Sequence, residues 1–369
     1  MINKINLGIL LGGRSAEHEI SIISAKSIFN NIDRGKFDVT LIAIDKEGIW
    51  YHKKNNLIIK ENSSSKLPSL DLKNSSRVTL IPVVNDVKLI DTKNGRIVKN
   101  LDIIFPVLHG TYGEDGTVQG FLKLLDIPFV GADVSGSAIG MDKDIAKRLL
   151  EHAGIPTAKF ITLTRNNIKE NPYEKISKKL GKTLFIKPAN LGSSVGIHKI
   201  KNKKEFENAI RDAFLYDNKI IIEEAIKCRE IECSVLGNEE PTASLAGEII
   251  PTHEFYSYEA KYIDENGAKL KIPADLPKNK HDEVKKLAIQ AYLALNCSGM
   301  ARVDFFLKKN GTLLVNEINT IPGFTSISMY PKLWQASGIE YSELINKLIQ
   351  HALNKYYQEK KLRTSFNLK

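Results

Sequence analysis

Cysteine is scarce in this chain: Cys228, Cys233 and Cys297 are the only three in 369 residues, and their spacing matches neither a zinc site nor a disulfide framework. A reducing compartment fits, and a cytoplasmic protein is expected. Long apolar runs are lacking too. The opening stretch Ile5–Leu11 is short, contains Gly8 and runs into Gly12-Gly13, so it reads as a strand and not a signal peptide. Nothing approaches the roughly 18 apolar residues that a membrane span needs. Also missing are the GxGxxG fingerprint, the P-loop lysine, and any RNP, helix-turn-helix or zinc-finger pattern. The net charge of +10 and pI near 9.2 come from scattered lysines. They suit solubility and a polyphosphate ligand better than nucleic acid, so neither a nucleic-acid nor a membrane partner is expected.

What is present is the composition of a soluble globular protein, 42% hydrophobic and 26% charged, long enough for two or three domains. The stretch from Met300 to Met329 carries the most chemistry. Two β-rich apolar runs flank Asn310-Gly311, which predicts a hairpin. Alternation puts Arg302, Asp304 and Phe306 on one face, and Leu313, Val315, Glu317 and Asn319 on one face of the return strand. With a two-residue loop, Leu307 would pair with Leu314, Asp304 would lie opposite Glu317, and Arg302 opposite Asn319. Like charges so placed destabilise a sheet, so two carboxylates and an amide oxygen there call for a hard cation, most simply Mg²⁺ carried with a phosphate. The continuation Asn319–Ser326 offers backbone N–H groups around Gly323, and hydroxyls at Ser326 and Ser328, for an anion.

Upstream, strand Ile5–Leu11, a glycine turn and a helix starting near Ser15 form half of a βαβ unit, with Glu17 and Glu19 in the first turn. Val39–Ile44 reads as a second strand, Tyr51–Arg77 as polar loops, and Leu101–Leu108 as a buried parallel strand. The last runs into a loop at a strand's carboxyl end that carries His109 and Glu114. Gly131–Gly140 is taken as a boundary. Asp142–His152 reads as a helix start and body, with Lys143 in the first turn. Strands are expected at Phe160–Leu163, Leu184–Pro188 (ending in Lys187) and Ile197–Ile200, with the Gly/Ser loop at Ser193–Gly196 before the last. A helix over Lys203–Leu215 follows, then strands Ile220–Ile226 and Glu230–Leu236 joined through a Cys228-Arg229 turn, and strand Thr242–Ile250. His253–Lys271 has no period and reads as a lid. Helices close the chain over Lys278–Asn296, Tyr330–Trp334 and Tyr341–Tyr356.

These pieces resemble the D-alanine–D-alanine ligase family of the ATP-grasp superfamily. The resemblance rests on LLGGRSAEHEIS (Leu10–Ser21), HGTYGEDGTVQG (His109–Gly120), MDK (Met141–Lys143), IKPANLGSSVGI (Ile186–Ile197), YEAKY (Tyr258–Tyr262), and RVDFF with NEINTIPGFTSISM (Arg302–Met329). It implies an α/β, three-domain ATP-grasp architecture, with an N-terminal substrate domain over 1–132, a central domain over 133–222 and a C-terminal catalytic domain over 223–369. The nucleotide would be held between the last two.

The resemblance further implies that ATP phosphates meet Lys143, Lys187 and the loop bearing Ser194, with Lys261 reaching in from the lid. Adenine would meet Glu223, Glu224, Ala225 and Ile226, and ribose Glu230. Asp304, Glu317 and Asn319 would bind two Mg²⁺ ions, or Mn²⁺. Arg302 and the N–H of Gly323 would form an oxyanion hole. Glu17 would hold the first D-alanine's ammonium with His109 nearby, and Ser328 and Met329 the second one's carboxylate. Ser193 and Tyr262, bonded to Glu17, would latch the lid. The implied reaction is ATP-dependent joining of two D-alanines through an acyl phosphate for peptidoglycan precursors, by a homodimer. The other readings are an ATP-grasp ligase for another amino acid or for D-lactate, and a nucleotide-binding module without turnover. The EAKY pattern favours an amine acceptor over a hydroxyl.

Overall fold

The computed structural model describes residues 4–60, 67–83, 86–251, 267–363 and 365–366. In the first sheet, β1 (Ile5–Gly12) pairs in parallel with β2 (Phe37–Ile44) and with β9 (Ile103–Pro106). Beyond β2, the antiparallel strands β3 (Trp50–His52), β6 (Ser76–Val83), β7 (Asp86–Asp91) and β8 (Ile97–Leu101) extend it to seven, while β4 (Ile59–Lys60) and β5 (Ser69–Leu70) pair separately. Polar composition between Tyr51 and Arg77 hid β3, β4, β5 and the start of β6, while β7 and β8 lie beyond that stretch and were not expected. The helix expected near Ser15 begins at His18 and runs to Asn31. Its apolar side shares one core with β1, β2 and the final helix Tyr341–Glu359, so the two ends of the chain pack together. On the opposite side of the sheet, helix Thr117–Leu124 packs with Leu10 and Ile104.

The small-residue stretch taken as a boundary contains a helix, Val134–Met141, capped by Asp133. The second sheet orders β10 (Phe160–Thr164), β13 (Lys219–Glu224), β11 (Leu184–Pro188) and β12 (His198–Ile200), covered by helices Tyr173–Leu180 and Lys203–Tyr216. The first of those helices was not anticipated. The third sheet orders β16 (Ala268–Lys271), β15 (Thr242–Pro251), β14 (Cys228–Gly237), β17 (Gly299–Lys308) and β18 (Leu313–Asn319), backed by helix Lys278–Ala294. Cys228 and Arg229 belong to β14; the turn lies before them. Among the described residues no helix is long and apolar enough to cross a membrane.

The hairpin differs from expectation in an instructive way. Lys308 N–H reaches Thr312 O at 2.9 Å, and Gly311 has φ of +85°, so the loop holds three residues with glycine in the left-handed position. Leu307 therefore pairs with Leu313, not Leu314. An irregularity at Asn316 then absorbs one residue, which restores Asp304 opposite Glu317 and Arg302 opposite Asn319. The same bulge flips the first half of the strand. Leu313 and Val315 join Val303, Phe305 and Leu307 in the core, away from the face of Glu317 and Asn319.

Candidate active site

A cavity of about 360 Å³ collects side chains from all three sheets. Glu17, His109 and Glu114 come from the loops of the first; Ser193 comes from the Gly/Ser loop; Glu230, Glu232, Arg302, Asp304, Glu317 and Asn319 come from the third. Gly323, Ser328, Met329 and Lys332 close it. A larger cavity of about 670 Å³ lies along the first sheet beside Trp50 and Phe121, but Glu47 is the one acid among the described residues that line it. The carboxylate cluster around Arg302 lies in the smaller cavity, to which the chemistry belongs.

Glu17 precedes helix His18–Asn31, and its carboxylate accepts a hydrogen bond from Ser193 across the cavity. Two glycines make the space. A Cβ at Gly110 or Gly192 would come within 2.7 or 2.8 Å of Glu17 Oε2. Ser193 and Ser194 both hold positive φ, 51° and 61°, which costs non-glycine residues roughly 1–2 kcal/mol each and marks a loop held in place by its contacts. We expect Gly192→Ala to push Glu17 aside and to weaken about tenfold the binding of the group that Glu17 holds. Steady-state kinetics checks this, and unaltered KM values would mean that Glu17 is not clamped.

His109 is buried, which drives its pKa down to about 4 against the raising effect of its bond to Ile321. The ring is neutral at pH 7. Nδ1 lies 3.0 Å from Ile321 O, which can only accept, so Nδ1 carries the proton and Nε2 takes the Ser24 hydroxyl at 3.2 Å. Ser24 Oγ also accepts the Phe324 N–H at 3.2 Å. Glu114 accepts N–H groups from Gly110 at 2.8 Å and Ile321 at 3.1 Å. Its carboxyl is raised to about 8, first by burial and then by Glu17. Together these bonds tie the loop carrying Gly323 to the first sheet.

On the third sheet, Glu232, Asp304 and Glu317 occupy one rung across β14, β17 and β18. Two residues along, on the same face, Arg302 grips both Asp304 oxygens at 2.7 Å and approaches Glu232 at 3.0 Å. Asn319 donates to Asp304 at 3.1 Å, and Lys143 stands 3.8 Å from Glu317 while donating to Leu191 O at 2.5 Å. The oxygen-only set of two carboxylates and an amide fits a hard divalent cation.

Behind it lies a buried triad. Glu223 faces Lys147 at 2.7 Å and Lys187 at 2.5 Å, all three at most 8% exposed. Burial alone would raise the Glu223 pKa, but the two ammonium groups bring it down to about 2. Lys187 goes up although burial opposes it, because Glu223 and Glu317 face it.

Known proteins similar to this chain show its family. Family models described as the D-ala D-ala ligase N-terminus and C-terminus match residues 6–132 and 149–350. The chain is 52% identical to the D-alanine–D-alanine ligase of Shouchella clausii, over 98% of both chains. It is 47% identical to D-alanine–D-alanine ligase A of Escherichia coli K12, over 99% of this chain and 100% of that one. The chain belongs to the D-alanine–D-alanine ligase family. Among solved structures, the D-alanine-D-alanine ligase from Coxiella burnetii superposes with a TM-score of 0.83 at 38% identity, covering 97% of this chain and 98% of that one. The VanG D-Ala:D-Ser ligase from Enterococcus faecalis gives 0.81 at 36%, covering 95% and 100%. The architecture is ATP-grasp, of mixed α/β class.

In this member of the D-alanine–D-alanine ligase family, the residues expected around adenine lie at the end of β13 and just beyond it. Glu224 accepts the Lys159 N–H at 3.0 Å, Ala225 N–H reaches Thr183 O at 3.2 Å, and Ile226 O takes the Cys228 thiol. Glu223 is buried and clamped by the two lysines. Lys261 and Tyr262 fall outside the described residues. Glu232 and Lys147 were passed over. Alternation from Glu230 would have put Glu232 on the cavity face, whereas nothing local distinguishes Lys147 from a solvated lysine.

Proposed function

We propose that the chain joins two D-alanines to D-alanyl-D-alanine at the expense of ATP, supplying peptidoglycan precursor synthesis in the cytoplasm. The observation that carries this reading is the meeting of Glu17, Arg302, the Asp304–Glu317 pair and Ser328 around one cavity. A carboxylate is a poor electrophile. The carboxylate of the first D-alanine attacks the γ-phosphorus of ATP, releasing ADP, and the acyl phosphate is then opened by the amine of the second, which expels phosphate.

Glu17 holds the first ammonium, a role suited to an ionised carboxylate latched by Ser193. Lys143, Lys187 and the Ser193–Ser194 loop hold the phosphates. Arg302 and the Gly323 N–H stabilise the oxygen that gains charge in each step. Ser328 and Met329 receive the second carboxylate. Asp304, Glu317 and Asn319 would hold Mg²⁺, as two ions or with Mn²⁺ as substitute, and the metal would supply positive charge to offset that of the phosphates. Glu223 to Ile226 and Glu230 would take adenine and ribose, and Lys261 and Tyr262 would close the lid. We take three domains, over 1–132, 133–222 and 223–369; β13 runs across the second boundary to Glu224, and the final helix packs in the core of the first sheet. A homodimer is the assembly we expect.

The test is phosphate release from Mg-ATP with D-alanine, L-alanine, or D-alanine plus D-lactate, with products weighed by mass spectrometry. Release that requires D-alanine and yields D-alanyl-D-alanine is expected. Absence of release with ATP bound would instead identify a nucleotide-binding module, and a mixed D-alanyl-D-lactate product a different acceptor.

A further inference from the structure

We propose that Lys332 anchors the carboxylate of the acceptor amino acid and thereby makes the enzyme select an acceptor that carries one. The inference rests on the reading of the chain as a D-alanine-joining enzyme and adds a specificity-determining residue to it.

The cavity is electrostatically lopsided. Six acidic side chains line it, Glu114 among them kept largely protonated by burial, against two basic ones, Arg302 and Lys332. Arg302 is committed to Asp304 and Glu232. The acceptor must bring a second carboxylate into this space, and a neutral hydroxyl such as that of Ser328 does not offset the acidic wall. Lys332 can. Among the described residues it makes no hydrogen bond and no ion pair, although it is half-buried in the cavity wall.

Its direction follows from its helix. Lys332 lies four residues after Ser328, which precedes helix Met329–Ala336, so the two share a face. Helical side chains lean toward the N-terminus, which carries the Lys332 stem back over Ser328. The helix cannot roll to withdraw it. Met329 and Leu333 are packed with Ile249 in an apolar cluster, and Tyr330 OH bonds Val235 O at 3.1 Å. Ser328 Oγ is itself positioned by the Thr325 N–H at 3.0 Å and the Thr325 hydroxyl at 2.8 Å. A carboxylate at this end of the cavity thus meets an oriented hydroxyl and an uncommitted ammonium.

The test compares two acceptors, D-alanine and D-alaninamide. The amide has no carboxylate, so it cannot act as donor. In the wild type with ATP and D-alanine present, the dipeptide should far outrun the dipeptide amide. Lys332→Gln should raise KM for the acceptor D-alanine on the order of ten- to a hundredfold. The preference for D-alanine over D-alaninamide should fall by the same factor, with KM for ATP and for the donor unchanged, and Lys332→Arg should keep most of the preference. An unchanged preference in Lys332→Gln overturns the proposal, as does an equal loss with both acceptors, which marks a structural role. If the wild type forms no dipeptide at all, the reading of the enzyme itself has failed, a different outcome.

Discussion

Arg302→Lys is expected to lower kcat by about 10²–10³-fold, the usual loss when one oxyanion donor goes, while Arg302→Met should in addition destabilise the fold. The reason lies in the rung formed by Glu232, Asp304 and Glu317. Carboxylates directly opposite one another in a sheet repel, and Glu232 is only 6% exposed. Arg302 serves two of the three at once, with a two-pronged bond to Asp304 and a contact to Glu232. Lysine retains the charge but is a point donor without the planar fork, so it cannot span both acids and still face the reacting oxygen. Methionine removes the charge and leaves the rung uncompensated, which in buried pairs costs about 3–5 kcal/mol. Turnover and urea midpoints of both variants check this. A lysine variant with wild-type kcat would remove Arg302 from the oxyanion site, and a methionine variant of unchanged midpoint would show that the rung needs no cation.

That rung explains why the centre of the site was legible in the sequence. Strand alternation and one turn signal suffice to bring Asp304 opposite Glu317, because a sheet face repeats every two residues. The reading was nevertheless right through two offsetting departures. The loop has one residue more than a two-residue Asn-Gly turn, and the bulge at Asn316 takes up one residue. The fate of Leu313 and Val315 shows what this hides: they were expected beside Glu317 and lie in the core. Bulges leave little trace in composition, so registers are reliable only where chemistry demands them. The short antiparallel strands after β2 were lost for another reason. β3, β4 and β5 are two or three residues long within polar sequence, whereas β6 and β7 do alternate and bury Val78, Leu80, Val87 and Leu89, a signal that was overlooked. All but the β4–β5 pair add to a sheet edge already built by β1 and β2. Glu114 was noticed as a loop residue, but its tie to Ile321 spans 207 positions, and no local pattern reports such a contact. The pairing of Glu17 with Ser193 spans 176 positions and came only through the family resemblance.

Glu223→Gln should destabilise the protein by about 3 kcal/mol at pH 7, and the difference from wild type should shrink as the solution is acidified. Glu223 stands between two lysines inside the second sheet, and its pKa falls from the ordinary 4.5 to about 2 because their attraction outweighs the cost of burial. A carboxyl whose folded pKa is depressed binds fewer protons folded than unfolded. Its contribution is therefore complete above about pH 4.5 and disappears as pH falls toward about 2. Glutamine keeps the shape but removes the charge that Lys147 and Lys187 share, leaving Lys187 only the attraction of Glu317 and Glu230. Lys147 is 1% exposed, and among the described residues its ammonium has only the Phe160 ring, 5.6 Å from its centroid, besides that ion pair. Lys187 loses the strongest of the groups that hold its proton against burial, so ATP binding should weaken as well, with KM rising roughly tenfold. Urea unfolding of both proteins at several pH values between 2.5 and 7 separates the causes. A stability gap that stays constant across that range would mean that the cost is one of packing, and that the three groups are not held together by charge.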